Sequence, residues 1–299
     1  MKTTNKNKYS QGVTLVMLSS FFYGTYGFWT RLMGDSFGAF SQSAVRSVLV
    51  VLLLLPIFLA KRSSNKFSFK KNKRWLVVSV ASSLFTAAPI YYAMNTIGIG
   101  LSLVIFYASY FLSMQLFGFI TERRLPLSRE IGTIGMALLG LIVVYHPGGG
   151  EALSLGALAA LVSGVGTGFN VLASGKIKAD SLTTTFIAWL CGLLVSIPIA
   201  LGIRDQLPAL SSTSWLYVLL FAICSVASSW SVITAVKIIN TGLVGLIGLL
   251  EIVFGIIFGR VFFNEPVTTT IIVGSVLIIA AAAVPNIYEL SQQKKGAKS

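Results

Sequence analysis

Apolar blocks of about 20 residues recur along the whole chain, and that block length dictates the solvent. At 1.5 Å per residue, such a block spans the ~30 Å hydrocarbon layer of a bilayer. Reading the blocks against their breakers predicts ten helices, at 12–33, 38–60, 75–96, 100–120, 127–146, 153–174, 182–203, 215–237, 242–263 and 267–287. Turn-forming stretches such as His146-Pro147-Gly148-Gly149-Gly150 and Asn264-Glu265-Pro266 separate them. Only 11% of residues are charged and 55% are hydrophobic, whereas a soluble domain carries about 25% charged residues. A soluble fold of this length would have to bury almost everything, which its surface-to-volume ratio forbids. The chain reads as an all-α integral membrane protein with no soluble domain in any loop.

Charge placement then predicts orientation. Nineteen of the 23 Lys and Arg residues fall on the side that holds both termini. Seven of them, from Lys61 to Arg74, lie between the second and third spans. Arg31, Arg204 and Arg260 fall on the other side, and Arg46 lies within the second span. The positive-inside rule places both termini in the cytoplasm, at the cell membrane. The net charge of +14 is thereby an orientation signal that suits anionic lipid headgroups. It does not indicate nucleic acid, because the basic residues lack aromatic interleaving. The first apolar block is too long for a signal core and no cleavage site follows it, so it is expected to stay. Cys191 and Cys224 sit inside apolar spans without metal-type spacing.

The two halves of the chain repeat. Ala93, Ile97, Gly100 and Leu101 recur as Ala235, Ile239, Gly242 and Leu243. Ser10, Gly12, Ser19 and Gly24 recur as Ser154, Gly156, Ser163 and Gly168. Glu122 recurs as Glu265, and Gly132 as Gly274. All offsets lie between 142 and 144, which divides the chain into five-helix units at 1–147 and 148–299. An odd number of spans per unit inverts the second copy, and inverted repeats are a transporter architecture.

In these residues the sequence resembles the EamA family of the drug/metabolite transporter superfamily. Ser20-Phe21-Phe22-Tyr23-Gly24-Thr25-Tyr26-Gly27-Phe28 resembles the small-aromatic-Gly segment that opens such units. Ala44-Val45-Arg46 resembles the family's segment with an intramembrane Arg. Leu249-Leu250-Glu251-Ile252-Val253-Phe254 and Asn264-Glu265-Pro266-Val267-Thr268 resemble its Leu-Glu-Pro-Val-Phe and Gly-Glu-Pro-Leu-Thr pair, with Ile252 where Pro is usual. The first-half copy of the second element, Glu122-Arg123-Arg124-Leu125, is further from the pattern. The resemblance covers nearly the whole chain and implies export or exchange of amino acids and other small metabolites.

Arg46 and Glu251 are the ionisable residues that fall clearly inside the spans. Each costs about 2.5–3.5 kcal/mol near a bilayer centre, so both are expected to face the bundle interior. The repeat duplicates neither: Glu251 maps onto Ala108 or Ser109, and Arg46 near Phe186 or Trp189. Glu251 is expected to bind a substrate ammonium or a proton, and Arg46 to pair with a carboxylate or fix a helix end. The structural alternative is that Arg46 caps backbone carbonyls or pairs with Glu251 to hold helices together. Tyr26, Tyr91, Tyr107, Tyr110, Asn170 and Trp230 are further candidates for the substrate path, because a hydroxyl or amide in hydrocarbon needs a partner. Pro89 is the expected hinge. Gly164-xxx-Gly168 and Gly255-xxx-Gly259 are expected packing stripes. No Walker loop, His-Glu-x-x-His or Ser/His pair is present, so neither an enzyme nor a direct ATP-driven pump is expected, nor a metal or cofactor. The expected function is secondary transport of an amino acid or similar amphiphile, the protein taken as monomeric with lipid and a small-molecule substrate as its partners. The alternative is a flippase or scramblase of a lipid-linked intermediate.

Overall fold

The structure is a computed structural model that describes residues 2–60, 67–122, 128–145, 154–209, 212–236, 238–239, 244 and 247–296. Its helices are α1 (Lys2–Gly24), α2 (Tyr26–Met33), α3 (Ala39–Ala60), α4 (Phe69–Ile97), α5 (Ile99–Glu122) and α6 (Ser128–Tyr145). The second half contributes α7 (Leu155–Lys176), α8 (Ser181–Gly202), α9 (Ser214–Val236), α10 (Leu250–Phe263) and α11 (Thr269–Gly296). Together α1 and α2 form the first predicted span, so the described helices make ten segments.

The first span breaks at Thr25. Its N–H is shared between the carbonyls of Phe21 and Phe22, at 3.2 Å each. Its hydroxyl donates to the Phe22 carbonyl at 2.6 Å. Such a local bond draws the backbone out of regular helix. Several helices also run past their apolar blocks: α1 begins at Lys2, α4 at Phe69, and α11 ends at Gly296. Hydropathy marks the thickness of the hydrocarbon, whereas backbone hydrogen bonding carries a helix on into the polar zone. The predicted turn around His146 and the copied pair Gly242 and Leu243 lie outside the described residues, as do Arg123, Arg124 and Lys237.

Six of the described helices are long and apolar enough to cross a membrane, by length and composition. Only 28% to 50% of each crossing window is buried within the bundle. The remainder is apolar and outward-facing, as with Leu52, Leu53 and Ile57 on α3, and needs lipid as its solvent. The chain is thus a multi-pass membrane protein.

Contacts between the halves repeat when the halves are exchanged. A side chain at Gly12 would collide with Ile239, and one at Gly156 would collide with Ile97. The Ser19 hydroxyl donates to the Ser228 carbonyl at 3.0 Å, and the Ser163 hydroxyl donates to the Thr86 carbonyl. In both cases the two contacts relate counterpart residues. At helix level, α1 packs on α9 as α7 packs on α4, and α1 on α10 as α7 on α5. The pairs α3–α8, α5–α10 and α6–α11 each join a helix to its own copy. An inverted two-fold relation generates this pattern, and its axis runs between the members of those self-paired helices.

Candidate functional site

Proximity of counterpart residues locates the axis within the bundle. A residue can touch its own copy only close to that axis. Glu251 on α10 maps onto Ala108 or Ser109 of α5, and the hydroxyl of Tyr107, one or two positions away, donates to Glu251 Oε2. Small residues bring the two helices this close. A side chain at Gly255 would strike Leu103, and one at Gly100 would strike Ile256.

The α3–α8 pair shows a contact between a residue and its own counterpart. Arg46 stands 143 residues before Trp189, and its guanidinium carbon lies 4.8 Å from the Trp189 ring centroid. Phe221 lies at 4.5 Å, and Tyr26 and Tyr91 at 5.0 Å each. The four rings come from α2, α4, α8 and α9. Arg46 is 3% exposed, yet its Nε and Nη1 have no hydrogen-bond partner. One helical turn earlier, Gln42 is fully buried; its Oε1 accepts from the Thr30 hydroxyl at 3.1 Å, while its Nε2 is unpartnered. Among the described residues these three nitrogens are the only buried side-chain nitrogen or oxygen atoms without a partner.

Magnitudes show what the rings leave undone. Each cation–π contact offsets about 0.5–2 kcal/mol of the cost of a buried cation. Such contacts act on the faces of the guanidinium, whereas its N–H groups point outward in its plane. An unmet buried donor costs about 1–3 kcal/mol. The cage therefore meets the charge, and Tyr91 also hydrogen-bonds with the guanidinium, but Nε and Nη1 stay open.

Tyr23 and Tyr26 connect the two centres. Their rings lie 5.0 Å apart, and Tyr23 is within electrostatic reach of both Glu251 and Arg46. The Tyr26 hydroxyl meets Ser228 Oγ at 3.1 Å and that of Tyr23 meets Ser229 Oγ at 3.4 Å. Tyr110 packs edge-on against Tyr107. Arg46 and Glu251 are not paired: the one ion pair among the described residues joins Arg31 to Glu265 at 3.9 Å.

Glu265 ties helices together at one end of the bundle. Its carboxylate accepts from the Ile99 N–H at 2.8 Å and from the Gly100 N–H at 3.3 Å, capping the start of α5. Gly98 has φ +88°, a left-handed turn that delivers those N–H groups to it. Arg31 adds a bond to the Asn95 carbonyl at 3.0 Å.

Two stretches of the sequence, residues 10–146 and 154–286, match the model of the EamA-like transporter family. The chain belongs to that family. Its two matched units make this a transporter of the drug/metabolite superfamily built from duplicated halves. A crystal structure of a protein with 16% sequence identity superposes with a TM-score of 0.64, over 93% of this chain and 97% of the other. At that identity the likeness shows the shared fold alone. No match is found among curated proteins.

Other candidates in this EamA-like transporter lie away from the two centres. Asn170 on α7 donates to the Ser79 carbonyl at 3.2 Å and to Ser82 and Ser83 hydroxyls, tying α7 to α4. Trp230 is 57% exposed on the outside of α9. Gly164 lies against Phe106, Ser109 and Tyr110 of α5, and Gly168 is buried on the same helix. Gly259 abuts Ile99 and Glu265. The α4 helix runs unbroken through Pro89. That proline leaves the Phe85 carbonyl without its helical donor, and the α7 backbone at Gly166 approaches at that point. Sequence reasoning missed Phe221 and Gln42. Phe221 carries no signal among 20 phenylalanines. Gln42 does, because a spacing of four puts it on the Arg46 face of α3.

Proposed function

We propose that this chain is a secondary transporter or facilitator that moves an amino acid or similar amphiphilic metabolite across the cytoplasmic membrane, in the direction of export, by alternating access. One observation supports the reading: Arg46 and Glu251, the two charges that the repeat does not duplicate, each touch the helix that copies their own, Arg46 at Trp189 and Glu251 at Tyr107, close to the two-fold axis. A site there is met equally by both halves, so exchange of the halves' conformations exposes it to either face. Its two charges of opposite sign are unpaired with each other, which suits a substrate bearing both an ammonium and a carboxylate. The charge bias of the loops supports an orientation with both termini in the cytoplasm.

Uptake into proteoliposomes tests this, with a panel of labelled amino acids and with or without a pH gradient. Saturable flux of at least one amino acid is expected. No flux of any across the panel contradicts the reading. Flux indifferent to the gradient removes proton coupling from the role of Glu251.

A further inference from the structure

We infer that Gln42 and Arg46 form an oxyanion subsite that receives the carboxylate of the substrate, inside the ring cage of Tyr26, Tyr91, Trp189 and Phe221. This rests on the transport reading and deepens it by assigning the polarity of the ligand in its site.

Two independent observations point to the same ligand. The first is the charge of Arg46, which is enclosed by four ring centroids at 4.5–5.0 Å and faces no carboxylate among the described residues. The second is directional. The unpartnered donors Arg46 Nε, Arg46 Nη1 and Gln42 Nε2 are one turn apart on a single face of α3. Native interiors rarely leave such atoms unmet, and three gathered on one face call for a shared acceptor. A guanidinium hydrogen-bonds most strongly to an oxyanion in its own plane. The rings surround the cation, and its unmet Nε and Nη1 are the groups left for the ligand. An ammonium group is repelled there by the charge of Arg46. It is left to Glu251, across Tyr23 and Tyr26. The rings offer apolar contact to whatever joins the two ends. Phosphate shares the oxyanion chemistry, and the test separates it.

Thermal unfolding of the full chain in phosphatidylcholine nanodiscs is measured with L-phenylalanine, L-leucine and L-threonine. Each is set against its carboxamide and against the acid lacking the amine. At least one acid is expected to bind about tenfold or more tighter than its amide. In Arg46→Gln that ratio falls to within about twofold, and in Arg46→Lys it recovers only in part, because an ammonium lacks the planar fork. Gln42→Ala, which leaves the charge in place, reduces the ratio a few-fold and provides the test if Arg46→Gln does not fold. The subsite is overturned if no acid in the panel binds tighter than its amide, or if the preference survives Arg46→Gln. It is equally overturned as a carboxylate site if phosphatidylglycerol nanodiscs stabilise the protein in an Arg46-dependent way, since the oxyanion is then a lipid phosphate. An acid preference without flux in proteoliposomes leaves the subsite standing and removes the transport reading. Flux indifferent to acid or amide does the reverse.

Discussion

Arg31 and Glu265 at one end of the bundle contrast with Arg46 and Glu251 at its axis. Each pair has one cation from the first half and one carboxylate from the second. At the end, Glu265 takes two backbone N–H groups and lies beside Arg31, which also holds a backbone carbonyl. At the axis, Arg46 keeps two nitrogens unmet and Glu251 takes a tyrosine hydroxyl. The Glu265 carboxylate is taken up by backbone donors of another helix and so ties helices together. On the reading proposed above, the unmet nitrogens of Arg46 are kept for a substrate. Sequence position alone does not separate these roles; hydrogen-bond satisfaction does.

The contrast can be broken by substitution. Arg46→Ala should lower transport more than about tenfold, which corresponds to losing at least ~1.4 kcal/mol of substrate interaction, with protein still inserted and folded. Unchanged flux would merge Arg46 with the structural class. Helix contact should respond next. Gly164→Leu forces a side chain into the backbone of Phe106 and Tyr110 and should cost about 1–3 kcal/mol of stability. Gly255→Ala meets the mobile tip of Leu103 and should cost less, as read by comparing the two melting temperatures.

Glu265→Gln should act on stability and spare substrate recognition. Charge-assisted bonds at a helix start contribute about 1–2 kcal/mol. A lower melting temperature with KM within about twofold of the parent is expected, taking twofold as the small end of the affinity scale. A large rise in KM would place Glu265 in the substrate path. The smallest effect belongs to Asp180, which caps α8 outside the spans and accepts from the Thr183 N–H at 3.2 Å and hydroxyl at 2.6 Å. Slight burial pushes its carboxyl upward, and the Thr183 bonds outweigh this and hold it below its ordinary value. The stability it adds is present above the unfolded pKa, near 4, and is lost as pH falls through the lower folded one. Asp180→Ala should lower the melting temperature slightly at pH 7, and the gap from the parent should close at acid pH.

Much of this fold was legible in the sequence because a membrane makes burial one-dimensional. Block length gave the spans. The offset of Gly12 to Gly156 and Ser19 to Ser163 marked contacts that the structure then repeats between halves. Arg46 and Glu251 were legible for the same reason, since a charge inside an apolar block has no cheap explanation. The cage was not legible. Tyr26, Tyr91, Trp189 and Phe221 come from four helices, and nothing along the chain distinguishes Phe221 from a lipid-facing phenylalanine. Asn170 and Trp230 show the converse: a polar or aromatic residue in a span can tie two helices or face lipid as readily as it can face a substrate. Thr25 was hidden too, because a side-chain bond to the preceding turn leaves no trace in hydropathy.

Transport by Glu251→Gln is the most direct measurement of the central claim, that the axis holds the substrate site. The substitution keeps the shape of the side chain and removes its charge. Flux of the amino acid carried best by the parent should fall about tenfold or more, an effect of at least ~1.4 kcal/mol, at equal membrane insertion and with a melting temperature near that of the parent. Parental flux in well-inserted Glu251→Gln protein would contradict the account.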